Sequence, residues 1–211
     1  MRFIIALLAN YEGFAMILLD ESINDDRLSF SRPIDENFYF VQVKIESLTK
    51  DELENISHLI RKNLDNKRAE ESILTSILRR LNDLRGTYST PGSSLSLIKK
   101  IKEDKTIACA GLGPLHGLNF RDGIGEIRDL VVHSEFRRLG LGKKILVECI
   151  KQAKNFGYKR LYLETSPHML IAKKLFVTKG FRPVQAIPQE KVQINTESPS
   201  YFLLENLSSS A

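Results

Sequence analysis

The chain has 211 residues, of which 42% are hydrophobic and 27% charged. That balance supports a buried core in one α/β domain or two small ones, and it excludes intrinsic disorder and the small disulfide scaffolds. The formal charge of +5 favours an anionic partner without distinguishing nucleic acid, membrane or a phosphorylated small molecule.

The first forty residues are acidic, with three basic against seven acidic side chains. Apart from Arg2, residues 1–9 are apolar, but the run is short and Tyr11 and Glu12 follow without a cleavage site. A buried strand is expected there rather than an export signal, paired with a second strand at 14–19. Polar residues 22–37 suggest a loop or linker. Tyr39, Val41, Val43 and Ile45 then alternate with Gln42 and Lys44, which is strand spacing. Thr49-Lys50-Asp51-Glu52 forms a capping box, in which hydroxyl and carboxylate each take a backbone amide. It opens a helix with Leu53, Ile56, Leu59, Ile60 and Leu64 on one face. A second apolar face from Ala69 to Leu84 predicts another helix, stopped by Gly86. Residues 95–101 and 106–112 form a hairpin, and 124–132 a third strand. Leu141, Ile145, Leu146, Cys149 and Ala153 mark an amphipathic helix closed by Gly157. A buried strand follows at 160–165, a helix at 168–179 and two strands at 181–187 and 201–207, joined by a polar loop at 188–200. The order predicts a mixed α/β sheet in one domain.

Cys109 and Cys149 lie in apolar stretches outside any CxxC pair, so buried thiols are expected rather than a disulfide. The four histidines lack ligand spacing, and no metal site is expected. No apolar run approaches the roughly 18–20 residues that span a bilayer.

The informative segment is Arg137-Arg138-Leu139-Gly140-Leu141-Gly142, which follows a strand and opens a helix. The first helical turn leaves amides unpartnered and carries the positive end of the dipole. Glycines let a phosphate approach the main chain, and two arginines add fixed charge. A pyrophosphate suits such a turn. The pattern lacks the third glycine of a Rossmann loop and the Lys-Ser/Thr of a Walker loop. A tight turn needing two glycines accounts for the spacing equally well.

In its context this stretch resembles the GNAT superfamily of N-acetyltransferases, whose hallmark is Arg/Gln-x-x-Gly-x-Gly/Ala after a central strand. Arg137, Gly140 and Gly142 fill that pattern, preceded by Gly-Glu-Ile-Arg-Asp-Leu-Val-Val-His-Ser-Glu-Phe at 125–136. Leu-Glu-Thr-Ser at 163–166, Ala172-Lys173-Lys174-Leu175-Phe176 and Gly180-Phe181 resemble the family's last motif. The likeness is specific over 125–181, and element order extends it to a domain at 39–207. An N-terminal extension at 1–38 and a frayed tail at 208–211 lie outside it.

The resemblance implies a GNAT-like α/β fold: a mixed, mostly antiparallel twisted sheet of about seven strands, with helices on both faces and a central parallel pair. It implies acetyl-CoA as cosubstrate in the gap between strands 124–132 and 160–165. Main-chain groups of Leu130, Val131 and Val132 would bond the pantetheine. The turn of Arg137, Arg138, Leu139, Gly140, Leu141 and Gly142, with Lys143 beside it, would hold the pyrophosphate. A primary amine would attack the thioester directly, with positioning, proton removal and oxyanion stabilisation as the catalytic factors.

Glu126 stands eleven residues before Arg137, where family members that use a glutamate base place it. Desolvation at a strand end suits a carboxylate to take a proton; an ordinary ion pair is the competing reading. Asp129 and Glu164 are weaker candidates. Two positions depart from the family. Phe176 replaces the tyrosine that often protonates the leaving thiolate, and it has no proton to give. Met169 replaces a frequent asparagine. Water or Tyr162 could serve instead, since a thiol of pKa about 8–9 leaves tolerably. His133 and His168 are read as loop and surface residues, and Tyr158 and Tyr162 as packing.

An N-acetyltransferase acting on a small-molecule or protein amine is therefore expected, as a cytoplasmic monomer or homodimer without nucleic-acid or membrane partners. The alternative is a catalytically weak acyl-CoA-binding or sensing module, motivated by Phe176. The acceptor segments, 48–85 and 188–200, carry no recognisable motif. The charge supports a phosphorylated cofactor: residues 137–182 hold twelve basic and two acidic side chains, a net +10 that begins at the glycine turn.

Overall fold

The computed structural model describes residues 28–64, 71–166, 168–184 and 200–207. The strands expected at 1–9 and 14–19 and most of the 188–200 loop lie outside those residues. Among the described residues eight strands form one sheet: β1 (Leu28–Pro33), β2 (Phe38–Val43), β3 (Ser94–Lys100), β4 (Lys105–Pro114), β5 (Ile124–Val132), β6 (Arg160–Thr165), β7 (Arg182–Val184) and β8 (Ser200–Leu204). Their spatial order is β1-β2-β3-β4-β5-β6-β8-β7. Every pairing is antiparallel except β5 with β6.

Five helices complete the described fold: α1 (Lys50–Asn63), α2 (Glu71–Asn82), α3 (Leu84–Tyr88), α4 (Leu141–Asn155) and α5 (Leu170–Thr178). The capping box forms as expected, with the Glu52 amide donating to Thr49 Oγ1 at 3.2 Å and the Thr49 amide to Glu52 Oε2 at 2.9 Å. Ile56, Ile60, Leu81 and Tyr88 from α1–α3 pack on Val41, Leu95 and Leu97. On the opposite face Ile145, Leu146 and Cys149 of α4 pack on Ile98, Ala108 and Ile127. Each fully buried Leu or Ile contributes about 1.5–3 kcal/mol, so both faces hold their helices firmly.

Two expectations need correction. Residues 28–33, read as loop, form β1. Their Leu-Ser-Phe-Ser alternation is only four residues long, and Pro33 is tolerated because β1 lies at the sheet edge among the described residues. Gly86 does not stop the second helix. The break falls at Asp83, whose carboxylate accepts the Gly86 amide at 2.8 Å and starts α3 across the glycine.

The feature that shapes the site is a bulge in β5. Cys109 opposes Val131 and Gly111 opposes Arg128, so Asp129 and Leu130 together face the single residue Ala110. Asp129 takes the left-handed conformation, φ 55°. The β5–β6 pairing runs from Ile124–Arg160 to Ile127–Leu163 and ends there. Beyond it β5 continues with β4 up to Val132, and β6 with β8 up to Thr165. The two parallel strands therefore part where the bulge begins.

Candidate active site

The turn after β5 lies beside the strands' open end. Gly140 is the N-cap of α4 with φ 76°, a left-handed conformation that costs an L-residue roughly 1–2 kcal/mol. A Cβ at Gly140 would meet nothing within 4 Å, so conformation rather than crowding requires the glycine. At Gly142 a Cβ would make ordinary contacts, 3.7 Å from Val132 and 3.8 Å from Leu175. That brings the turn against the end of β5 and against α5. No side chain caps α4, and its first ladder bond runs from the Lys144 amide to Gly140 at 3.1 Å. The amides of Leu141, Gly142 and Lys143 thus precede the ladder, as anion-binding helix starts require. Arg138, Leu139 and Lys143 are exposed at this turn. Arg137 instead turns back: its Nε donates to the Val132 carbonyl at 3.2 Å and Nη2 donates to Asn63 Oδ1 at the end of α1. Leu130 and Val132 lean on the α4 core and Val131 on the α1–α3 core.

Glu126 and Arg128 occupy the face of β5 toward α1–α3, because Ile127 between them is buried against α4. Glu126 Oε2 lies 3.6 Å from Arg128 Nη1, and the two side chains keep 16% and 13% exposure. The ion pair weighed against catalysis is therefore present. Arg128 lies over the Tyr88 ring at 5.5 Å, and a Cβ at Gly113 would collide with its Nη2. Its Nε is buried without a hydrogen-bond partner. In register, Glu126 faces Tyr162 of β6. Tyr162 is buried with Leu115, Ile124 and Leu203, and that burial pushes its hydroxyl above the ordinary tyrosine value.

Asp129, the second candidate base, is fully engaged. Arg80 of α2 grips it with Nε at 3.3 Å and Nη2 at 3.0 Å, and Tyr88 Oη donates to Oδ2 at 2.5 Å. Its side chain is 2% exposed. Burial, and then the Asp129 charge, hold the Tyr88 hydroxyl well above its usual value. A Cβ at Gly111 would collide with that hydroxyl, so the glycine makes room for it. Sequence reasoning missed Arg80, Tyr88 and Arg128. The pairing of Gly111 and Gly113 on one strand face was the signal that bulky groups cross there. Glu164 is exposed, opposite Tyr201.

The remaining residues divide cleanly. Phe176 packs edgewise on Phe202 and at a tilt on Phe181, inside the core. His133 caps the turn after β5, its Nδ1 accepting the Glu135 amide, and His168 is exposed. Cys109 and Cys149 are free and buried, as expected; burial raises both thiols, Cys149 to about 12, so neither is a nucleophile near neutrality. Among the described residues no group of three metal-ligand side chains converges, and no helix is long and apolar enough to cross a membrane.

The fold agrees with those of known proteins. The model of the acetyltransferase (GNAT) family matches residues 60–181, more than half the chain, and the chain belongs to that family. N-acetyltransferase YjgM of Escherichia coli (strain K12) is 30% identical over 104 residues, covering 49% of this chain and 60% of that protein. The amino-acid acetyltransferase of Shewanella oneidensis is 34% identical over 95 residues, covering 44% of this chain and 20% of that one. The chain thus spans 60% and 20% of these relatives' own lengths, less than two thirds of either. In structure, an acetyltransferase from Streptococcus agalactiae superposes with a TM-score of 0.64 at 11% identity, covering 81% of this chain and 99% of that one. yncA of Salmonella typhimurium, solved with its cofactor acetyl-CoA, superposes with a TM-score of 0.57 at 16% identity, covering 82% and 96%.

Proposed function

We propose that the protein is an acetyl-CoA-dependent N-acetyltransferase acting on a primary amine, with Glu126 as the base. The observation that carries this reading is the splay of β5 from β6 beside an uncapped helix start with left-handed Gly140. The residues present fit the cosubstrate. The amides of Leu141, Gly142 and Lys143 suit a pyrophosphate, with Arg138 and Lys143 adding exposed charge and Leu139 beside them. Main-chain groups of Leu130, Val131 and Val132 border the gap, where a pantetheine arm would bond. The Val132 carbonyl already accepts from Arg137, so Arg137 shapes the turn rather than reaching outward.

In the reaction the acceptor ammonium gives one proton to Glu126, which passes it to solvent. The neutral nitrogen then bonds to the thioester carbonyl carbon. The C–S bond breaks with its electron pair on sulfur, and one of the two protons on the now cationic nitrogen reaches the thiolate through water while the other stays on the amide. The products are an amide and a free thiol. Water takes the final transfer because Phe176 has no hydroxyl and Tyr162 is packed among apolar side chains.

Phe176 also favours a second reading, a module that binds acyl-CoA with little turnover. Purified protein, acetyl-CoA and a panel of amines with a free-thiol readout separate the two. Thiol release with at least one amine supports the enzyme; melting raised by acetyl-CoA with no release on any amine supports the binder. A protein amine, an amino acid, a polyamine and an antibiotic are all acceptors that the panel should contain.

A further inference from the structure

Resting on the reading of Glu126 as base, we propose that Arg128 binds the carboxylate of an α-amino-acid acceptor and that this binding frees Glu126 for catalysis. Three observations meet at this guanidinium. It is costly as a purely structural group: the side chain is 13% exposed, its Nε has no hydrogen-bond partner, and the Glu126 carboxylate stands off at 3.6 Å. Buried charges are ordinarily paired and hydrogen-bonded, and exceptions collect at functional sites. It is also held in a built seat. Tyr88 lies beneath its planar head, and Gly113 leaves the room its Nη2 occupies. Finally, the other nearby carboxylate does not compete for it, because Asp129 is taken by Arg80 and Tyr88.

The distances select the ligand. An α-amino acid carries its amine one carbon away from its carboxylate. A carboxylate on the terminal nitrogens of Arg128 therefore leaves the amine beside Glu126, whose Oε2 is 3.6 Å from that same guanidinium. Approach is to the terminal nitrogens, since Nε is shielded. Arginine presents a planar fork that matches a carboxylate in two bonds. The incoming carboxylate replaces Glu126 as the partner of Arg128, and Glu126 turns to the ammonium. No charge is left unpaired in the exchange: two carboxylates meet one guanidinium and one ammonium. A carboxylate-free amine makes no such exchange, and Glu126 stays committed to Arg128.

The test compares the twenty standard α-amino acids with their carboxamides, using calorimetric binding to the protein–CoA complex and thiol release from acetyl-CoA. At least one amino acid should bind and turn over with a preference of roughly 10- to 100-fold over its carboxamide, the scale of a charge-assisted pair. Arg128→Gln should erase that preference and Arg128→Lys restore part of it, with acetyl-CoA affinity within about twofold of normal. Gly113→Ala, which pushes the guanidinium aside without removing it, should lower the preference as well and covers the case in which Arg128→Gln folds poorly. No preference for any amino acid, or a preference that survives Arg128→Gln, overturns the proposal. Binding preference without thiol release would leave Arg128 as the carboxylate site while sinking the enzyme reading. Turnover of simple amines with equal use of acids and amides would do the reverse.

Discussion

The two halves of the candidate site are built from different materials. The turn at 137–143 is main chain: a left-handed glycine and the first amides of α4, with basic side chains around it. The acceptor side is made of side chains, Arg80 from α2, Tyr88 from α3, and Glu126, Arg128 and Asp129 from β5, meeting over Gly111 and Gly113 of β4. A site made of backbone leaves its signature in one short run of sequence. A site made of side chains spreads its signature over some fifty residues, and each residue taken alone looks like ordinary surface or core.

Disrupting the main-chain half should have the largest effect. Gly140→Asp forces an L-residue into φ 76° and sets a negative charge at the anion turn. Calorimetry should then detect no acetyl-CoA binding while circular dichroism stays normal; retained binding would dismiss the pyrophosphate assignment. On the other half, Glu126→Gln should slow turnover by roughly 10²–10⁴-fold, the range of a lost general base, with acetyl-CoA affinity near normal. An unchanged rate removes Glu126 from the mechanism.

Asp129→Ala strips Arg80 and Tyr88 of their shared partner, and breaking a buried pair costs about 3–5 kcal/mol. A melting temperature lower by about 6–20 °C would follow for a protein of this size, and a loss of only a degree or two would mean that the network is dispensable. The same network carries a pH signature. Tyrosine ordinarily ionises near 10.0, and Tyr88 holds its proton above that value. The unfolded chain releases that proton first, so stability is full below about pH 10 and falls as the pH rises further. Melting followed from pH 8 to 11 should show this fall, and Tyr88→Phe should lessen it. The smallest effect belongs to neither half: Thr49→Ala removes the α1 cap and should cost about 1 kcal/mol in denaturant unfolding, leaving cofactor affinity untouched.

The legible and illegible parts of the molecule follow the same division. Strand β5, helix α4 and strand β6 have the bounds expected from periodicity and glycine punctuation, and the α1 capping box is formed as spelled. Local chemistry decides those features, so local sequence carries them. Strand β1 was hidden because four alternating residues with a proline are weak without their β2 partner. The α2–α3 break was misplaced because Gly86 attracts attention, whereas the Asp83 side chain creates the boundary. The Arg80–Asp129 pair joins residues 49 positions apart, and no periodicity reports such a meeting. Phe176 was legible as a departure, but its place against Phe181 and Phe202 emerges only in three dimensions.

The extra residue in β5 also acts as a phase shifter. Before it, even-numbered Ile124, Glu126 and Arg128 point to the acceptor face and Ile127 to α4. After it the parity reverses: Val131 joins the α1–α3 core, while even-numbered Leu130 and Val132 lean toward α4. In the proposed reaction one strand would thereby serve acceptor and cofactor from opposite surfaces without crossing the sheet. Deleting Asp129 would restore strict alternation while leaving each remaining side chain on its present face: the strand would lose its bulge and the shared partner of Arg80 and Tyr88 without any residue changing sides.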